Sequence, residues 1–145
     1  MHITLVEDDP MNAKVMERIL TRIGNYQVTI TEDVATILDL ARSHHTDLVI
    51  MDVALTNCVL NGKQMDGLKM SRLLKIGPPP CPVPILLATA HAMRGDAQRL
   101  LEESMADGYI SKPIAEPRTL TDKIRTMLDD ARRNQQHVHT QTTSE

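Results

Sequence analysis

Acidic residues follow two apolar segments of the chain, at the points where strands are predicted to end. Glu7, Asp8 and Asp9 follow ITLV, and Asp52 follows LVIM. Carboxylates that lie close together repel one another, so such a group needs a cation or a raised pKa. All the candidate ligand atoms are oxygens, which favours a hard divalent ion such as Mg²⁺ over Zn²⁺. The acidic residues therefore predict a Mg²⁺ site.

A threonine and a lysine follow two later apolar segments. Thr89 comes after ILLA, and Lys112 comes after YIS. A carboxylate beside Mg²⁺ can attack a phosphorus atom, and the charge that develops on the phosphoryl oxygens needs further partners. An ammonium about 4 Å from a phosphoryl oxygen contributes roughly 4 kcal/mol before desolvation, and a hydroxyl adds a directional donor. Together these residue types are consistent with an aspartyl phosphate.

The elements that must position these residues are short apolar segments alternating with segments of helical period. Strands are predicted for Ile3–Val6, Val28–Thr31, Leu48–Met51, Ile85–Ala88 and Tyr109–Ser111. Helices are predicted for Met11–Ile23, Val34–Ala41, Gly67–Lys75, Gly95–Met105 and Pro117–Ala131, the first of them capped by Asp9 and opened by Pro10.

Strands separated by helix-length connections are parallel and joined by right-handed crossovers, with helices on both faces of the sheet. The pattern therefore predicts a doubly wound α/β domain built on a five-stranded parallel sheet. In such sheets ligands bind beyond the carboxyl ends of the strands, which is where the acidic residues, the threonine and the lysine lie.

Composition limits the class of protein. The chain has 145 residues, of which 41% are hydrophobic and 24% charged, as expected for one soluble domain. No leader-like segment and no long apolar run is present, so neither export nor membrane insertion is expected, and the two cysteines suit a cytoplasmic location.

Charge and aromatic content argue against nucleic acid as a partner. Acidic and basic residues are mixed along the chain, with a net charge of −3, and the aromatic residues are Tyr26 and Tyr109 alone. The polar residues 132–145 are expected to form a disordered tail after a domain of residues 1–131.

Four motifs, taken with their order and positions, carry a resemblance to a known family. LVEDDP, LVIMD, ATA around Thr89 and GYISKPI around Lys112 resemble the receiver domain of two-component response regulators. The resemblance covers about residues 1–130, and MDG at Met65–Gly67 and HAMRGD after Thr89 add to it. It implies the flavodoxin-like fold of receivers.

The resemblance also implies a role for each site residue. Asp52 resembles the phosphoacceptor, Asp8 the direct Mg²⁺ ligand and Glu7 the ligand that acts through water. The main-chain carbonyl of Ala54 would complete the metal site. Asp9 is left as the helix cap.

Three further roles follow from the same resemblance. Thr89 resembles the switch hydroxyl, and Lys112 the cation that bridges phosphoryl group and carboxylate. Tyr109 resembles the switch aromatic that turns inward on activation. The bond between Lys112 and Pro113 is expected to be cis, a form that proline tolerates.

The function implied is that of a stand-alone receiver in a phosphorelay, because too few residues follow the domain for an output domain. A histidine kinase or a histidine phosphotransfer protein, docking near the first helix, would phosphorylate Asp52. The signal would pass to a downstream protein through the surface of the fourth helix, fifth strand and fifth helix, where a homodimer could also form. Such a chain is not an enzyme for outside substrates, since it catalyses only its own phosphotransfer and slow dephosphorylation.

Ala54 and His91 flank the pocket, and Ala54 offers no side chain to orient an attacking water, so the phosphoryl group is expected to persist.

The residues leave one alternative open, a degenerate receiver that binds proteins without phosphorylation. They disfavour an aspartate-nucleophile phosphatase, which needs a second acid where this chain has Ala54. They also disfavour a flavin-binding protein, because the acidic first loop would repel the phosphate of the cofactor.

One segment departs from the family pattern, which has a short loop with a proline soon after the phosphoacceptor. Here the long segment ALTNCVLNGKQ precedes MDG and contains no proline. Its polar residues favour a position on the surface over a cover on Asp52: Asn57, Asn61, Lys63 and Gln64.

Overall fold

A computed structural model describes residues 1–56, 58–90 and 94–143 of the chain. The strands are β1 His2–Val6, β2 Gln27–Ile30, β3 Leu48–Asp52, β4 Val59–Leu60, β5 Lys63–Gln64, β6 Ile85–Thr89 and β7 Gly108–Ser111. The helices are α1 Pro10–Arg18, which continues as a π-helical turn over Ile19–Ile23, α2 Val34–Arg42, α3 Gly67–Ile76, α4 Arg94–Ser104 and α5 Pro117–Thr143.

The main sheet of the described residues has five strands in the order β2-β1-β3-β6-β7. All four pairings are parallel. The order changes direction between β1 and β3, and a crevice at such a point is the usual ligand site of a doubly wound fold. The predicted doubly wound parallel sheet is therefore confirmed.

The core lies on both faces of this sheet because alternate side chains of a strand point to opposite faces. Val49 and Met51 of β3 belong to one buried cluster, and Leu48 and Ile50 belong to the other. Every residue of β3 is buried, as expected for a central strand that is covered on both sides. Among the described residues, no helix has the length and apolar character needed to span a bilayer.

Aspartate side chains begin three of the helices. Asp9 accepts a hydrogen bond from the Met11 N–H at 3.0 Å, and Pro10 occupies the start of α1, as predicted. Asp33 caps α2, and Asp66 caps α3. Since Asp9 is committed to its helix, the neighbouring Asp8 is left for the crevice.

The last helix corrects one prediction. Its end was expected at Ala131, but the helix continues to Thr143. The polar residues after Ala131 carry no apolar period from which a helix could be predicted, yet they include neither glycine nor proline to stop one. The division into a domain of residues 1–131 and a tail of residues 132–145 stays a prediction.

The long loop after β3 contains a small hairpin that was not predicted. Strands β4 and β5 pair antiparallel around Asn61 and Gly62, which have φ of 53° and 78°. Asn-Gly is the dipeptide that favours such a two-residue turn, so this signal was present in the sequence. Lys63 and Gln64 are exposed together with Asn61, as expected for a surface loop, while Asn57 lies outside the described residues.

Candidate functional site

The carboxyl ends of neighbouring strands bring the predicted acidic residues together. Val6 of β1 pairs with Met51 of β3, so the residues that follow them, Glu7 and Asp52, lie side by side. One carboxylate oxygen from each of Glu7, Asp8 and Asp52 lies within 4.8 Å of the others. This acidic group is therefore compact enough to hold one cation.

Lys112 contributes a positive charge to the same place. Its Nζ donates to Asp52 Oδ1 at 3.0 Å and to Glu7 Oε2 at 3.4 Å. The Lys112 N–H also donates to the Thr89 carbonyl at 2.8 Å, which fixes the start of the loop after β7. The peptide bond from Lys112 to Pro113 is cis.

Burial controls the ionisation of Glu7. The residue is only 5% exposed, and this burial together with the nearby Asp52 carboxylate raises its pKa to about 7, although Lys112 opposes the rise. Burial by itself lowers the pKa of Lys112, but its hydrogen bond and attraction to Asp52 outweigh this effect and raise the pKa. At neutral pH Glu7 is therefore partly protonated, and this proton reduces the negative charge of the acidic group, as a bound cation would.

The backbone around Asp52 fixes its carboxylate. The Ala54 N–H donates to Asp52 Oδ1 at 3.1 Å, so Ala54 and Lys112 donate to the same oxygen. The Gly67 N–H donates to the Val53 carbonyl, and a side chain at Gly67 would overlap the Asp52 carbonyl oxygen. The glycine of the MDG motif therefore lets α3 begin directly beside the site.

A residue of the long loop, Thr56, also reaches the acidic group. Its N–H and its hydroxyl donate to Asp8 Oδ2 at 2.8 Å and 2.9 Å. The sequence carries no signal for Thr56, because nothing in a long polar loop shows which of its residues will contact a carboxylate beyond the end of another strand.

The two predicted switch residues occupy neighbouring strands. Thr89 is buried at the end of β6, and Tyr109 is half-buried on β7. Tyr109 lines a cavity of about 410 Å³ with Pro113, Thr119 and Lys123. This cavity lies between β7, the loop that follows it and α5. His91 and the start of the HAMRGD motif lie outside the described residues.

Comparisons with known proteins agree with this architecture. The family described as "Response regulator receiver domain" matches residues 3–125. The polar-differentiation response regulator DivK of Brucella ovis is 34% identical over 89% of this chain and 97% of its own length.

Solved structures show the same relationship. The receiver domain of a sensor histidine kinase from Pseudomonas aeruginosa PAO1, solved with a magnesium ion coordinated in its active-site cleft, has a TM-score of 0.71 and 28% identity over 88% of this chain and 97% of that chain. A receiver domain of a histidine kinase from Syntrophus aciditrophicus has a TM-score of 0.69 and 30% identity, with 89% and 90% covered. The chain belongs to the response regulator receiver domain family of two-component signalling.

Proposed function

We propose that the chain accepts a phosphoryl group on Asp52 from a histidine kinase or a histidine phosphotransfer protein, in a reaction that depends on Mg²⁺, and then signals to a partner protein. The observation that carries this proposal is the contact of the Lys112 ammonium with Asp52 Oδ1 at 3.0 Å, beside the acidic group. A buried carboxylate with a fixed cation at one side is suited to attack phosphorus and to tolerate the charge that results.

The donor set fits a hard divalent cation. Asp8, Asp52 and the Ala54 carbonyl would hold Mg²⁺, with Glu7 acting through water, and every donor is an oxygen. When bound, Mg²⁺ would neutralise charge on the carboxylates and on the phosphoryl oxygens. Burial and the nearby Asp52 carboxylate raise the pKa of Glu7, so a cation bound beside these carboxylates would favour the charged form of Glu7.

The chain's own residues orient the nucleophile. Lys112 and the Ala54 N–H donate to one oxygen of Asp52 and so limit rotation of its carboxylate. The bond from phosphorus to the donor imidazole nitrogen breaks as the bond from phosphorus to the Asp52 oxygen forms. Lys112 then shares its protons between Asp52 and the new phosphoryl oxygens.

The conformational change that follows phosphorylation of Asp52 would be transmitted through the adjacent strands. Asp52 pairs with Ala88, and the next residue, Thr89, pairs with Ser111, which precedes Lys112. Tyr109 lies two residues before Ser111 on the same strand and pairs with Leu87. A phosphoryl group on Asp52 would attract the Thr89 hydroxyl and leave room for Tyr109, which would change the surface of α4, β7 and α5. The partner protein would bind this surface, and sedimentation of both phosphorylation states tests whether it also joins two copies of the chain.

The test is the intact mass after incubation with acetyl phosphate, with and without Mg²⁺. We expect the gain of one hydroxylamine-labile phosphoryl group that requires Mg²⁺ and is absent from Asp52→Asn. Asp39→Asn is the matched control, since Asp39 is an exposed carboxylate on α2, and it should be modified like the native chain.

If acetyl phosphate does not modify the chain, a second phosphodonor is needed, because the long loop after β3 can block the approach of a small molecule to Asp52. A phosphorylated histidine phosphotransfer domain supplies it. If neither donor modifies the chain, the proposal is wrong and the chain is a degenerate receiver that binds proteins without phosphorylation.

A further inference from the structure

Thr56 makes two hydrogen bonds to one oxygen of a predicted metal ligand. Its N–H and its hydroxyl donate to Asp8 Oδ2 at 2.8 Å and 2.9 Å, across 48 positions of the chain. Two neutral donors on one oxygen restrict the rotamer of the carboxylate. A carboxylate has about four lone-pair positions, so it can accept from two donors and also bind a cation.

The loop holds Thr56 in place from both sides. Leu55 is 3% exposed and Cys58 is 1% exposed, so both of these residues are fixed in the core. The Cys58 thiol donates to the Glu32 carbonyl at 3.1 Å. The side-chain amide of Gln64, on the second strand of the hairpin, donates to the Thr56 carbonyl at 2.8 Å. These contacts, all of them within the protein, therefore hold Thr56 in position.

The departure from the family pattern makes this contact possible. A proline in a short loop has neither an N–H nor a hydroxyl to donate. The inserted segment instead places a threonine there and supports it with the hairpin of β4 and β5. The inserted segment thus contributes a contact to the acidic group in addition to the exposed surface of its hairpin.

We propose that Thr56 is a positioning residue for Mg²⁺: it holds the Asp8 carboxylate in the orientation that the cation requires. The inference rests on the proposed function, because it assumes that Asp8 is a metal ligand. Groups that orient metal ligands commonly change affinity by about 10–100-fold. Thr56 is exposed, and Thr56→Val removes the hydroxyl but keeps the N–H, so we expect Mg²⁺ affinity to fall by about three- to tenfold.

The experiment is calorimetric titration of the metal-free chain with Mg²⁺, without any phosphodonor. The variants are Thr56→Val and Thr56→Ser, and the second restores the hydroxyl and should bind Mg²⁺ like the native chain. Thr36→Val is the matched control. The Thr36 N–H and hydroxyl donate to Asp33 Oδ2 at 3.0 Å and 2.7 Å, the same double contact at a carboxylate outside the acidic group. This control should leave Mg²⁺ affinity unchanged.

The outcomes separate the inference from the proposed function. Unchanged or tighter Mg²⁺ binding by Thr56→Val, with native binding intact, would show that Thr56 has no positioning role or competes with the cation, and the inference alone would fall. Equal weakening in Thr56→Ser or in Thr36→Val would also overturn it, because the hydroxyl contact to Asp8 would not be the cause. If the native chain does not bind Mg²⁺, the metal-dependent function falls as well.

Discussion

Glu7 lies in surroundings that disfavour its negative charge. It is buried beside Asp52, and its pKa is raised to about 7 from a usual value near 4.5. The folded protein therefore binds a proton more tightly at Glu7 than the unfolded chain does. The resulting stabilisation is complete below about pH 4.5 and is lost as the pH rises through about 7.

We expect the free energy of unfolding of the metal-free protein to fall between pH 5 and pH 8, by up to about 3 kcal/mol. Glu7→Gln should reduce this fall, since glutamine resembles the protonated acid and does not titrate. Saturating Mg²⁺ should also reduce it by neutralising the carboxylates. Urea unfolding at several pH values measures the effect, and an equal slope for the native chain and Glu7→Gln would show that Glu7 is not its source.

We propose that Ala54 prolongs the lifetime of the phosphoryl group. It is exposed beside Asp52 and presents only a methyl group, which cannot orient a water for attack on phosphorus. Ala54→Asn should increase the rate of dephosphorylation by about tenfold, since a positioned polar group can contribute at this level or more. The decay of the phosphorylated mass over time measures it. Ala54→Val, which adds volume without a polar atom, should not accelerate the decay, and similar rates for all three chains would rule out the role.

At the scale of elements, the five strands of the main sheet could be predicted because each is a short, largely apolar segment, whereas the hairpin of β4 and β5 was not predicted. The same reasoning placed Glu7, Asp52 and Lys112 in one crevice, because side chains at the carboxyl ends of neighbouring strands meet. Contacts that depend on the path of a loop could not be predicted in this way. The contact from Thr56 to Asp8 is the clearest case, and the end of α5 is another, since the polar residues after Ala131 carry no period.

The start of α3 depends on the absence of a side chain at Gly67. A methyl group there would overlap the Asp52 carbonyl oxygen, and that strand is central and cannot move easily. Gly67→Ala should lower the free energy of unfolding by at least about 2 kcal/mol and slow phosphorylation. Gly62→Ala is the control, since Gly62 has a positive φ but open space around it, and it should cost only about 1 kcal/mol. Equal costs in chemical denaturation would mean that α3 can shift away from β3.

Helix α5 has a packed first part and a polar extension. Leu120, Ile124 and Leu128 are buried in the core, whereas residues 132–134 are exposed. Removal of residues 135–145 should change the free energy of unfolding by less than about 0.5 kcal/mol. Ile124→Ala, by contrast, should cost about 2–4 kcal/mol. A large loss of stability on truncation would place the extension within the folded domain and contradict the predicted division near residue 131.

At the scale of the molecule, the sheet connects the acidic group to the proposed output surface. Asp52 on β3 pairs with β6, and β6 pairs with β7, which carries Tyr109. The Lys112 N–H donates to the Thr89 carbonyl, so the end of β7 is tied to the end of β6. A change at Asp52 therefore has a short covalent and hydrogen-bonded route to the cavity beside Tyr109.

The composition provides a direct optical test of this route. The chain has no tryptophan and two tyrosines, so Tyr26→Phe leaves Tyr109 as the single tyrosine and the source of the tyrosine fluorescence. Tyr26 is half-buried against the core, and phenylalanine preserves its shape. With acetyl phosphate and Mg²⁺, Tyr109 should turn inward and become less accessible to acrylamide, whereas Mg²⁺ alone should have little effect. Adding Asp52→Asn should abolish the change. If quenching of Tyr109 is the same before and after phosphorylation is verified by mass, the signal does not pass through this side chain, and the partner surface must respond through α4 or the loop after β3.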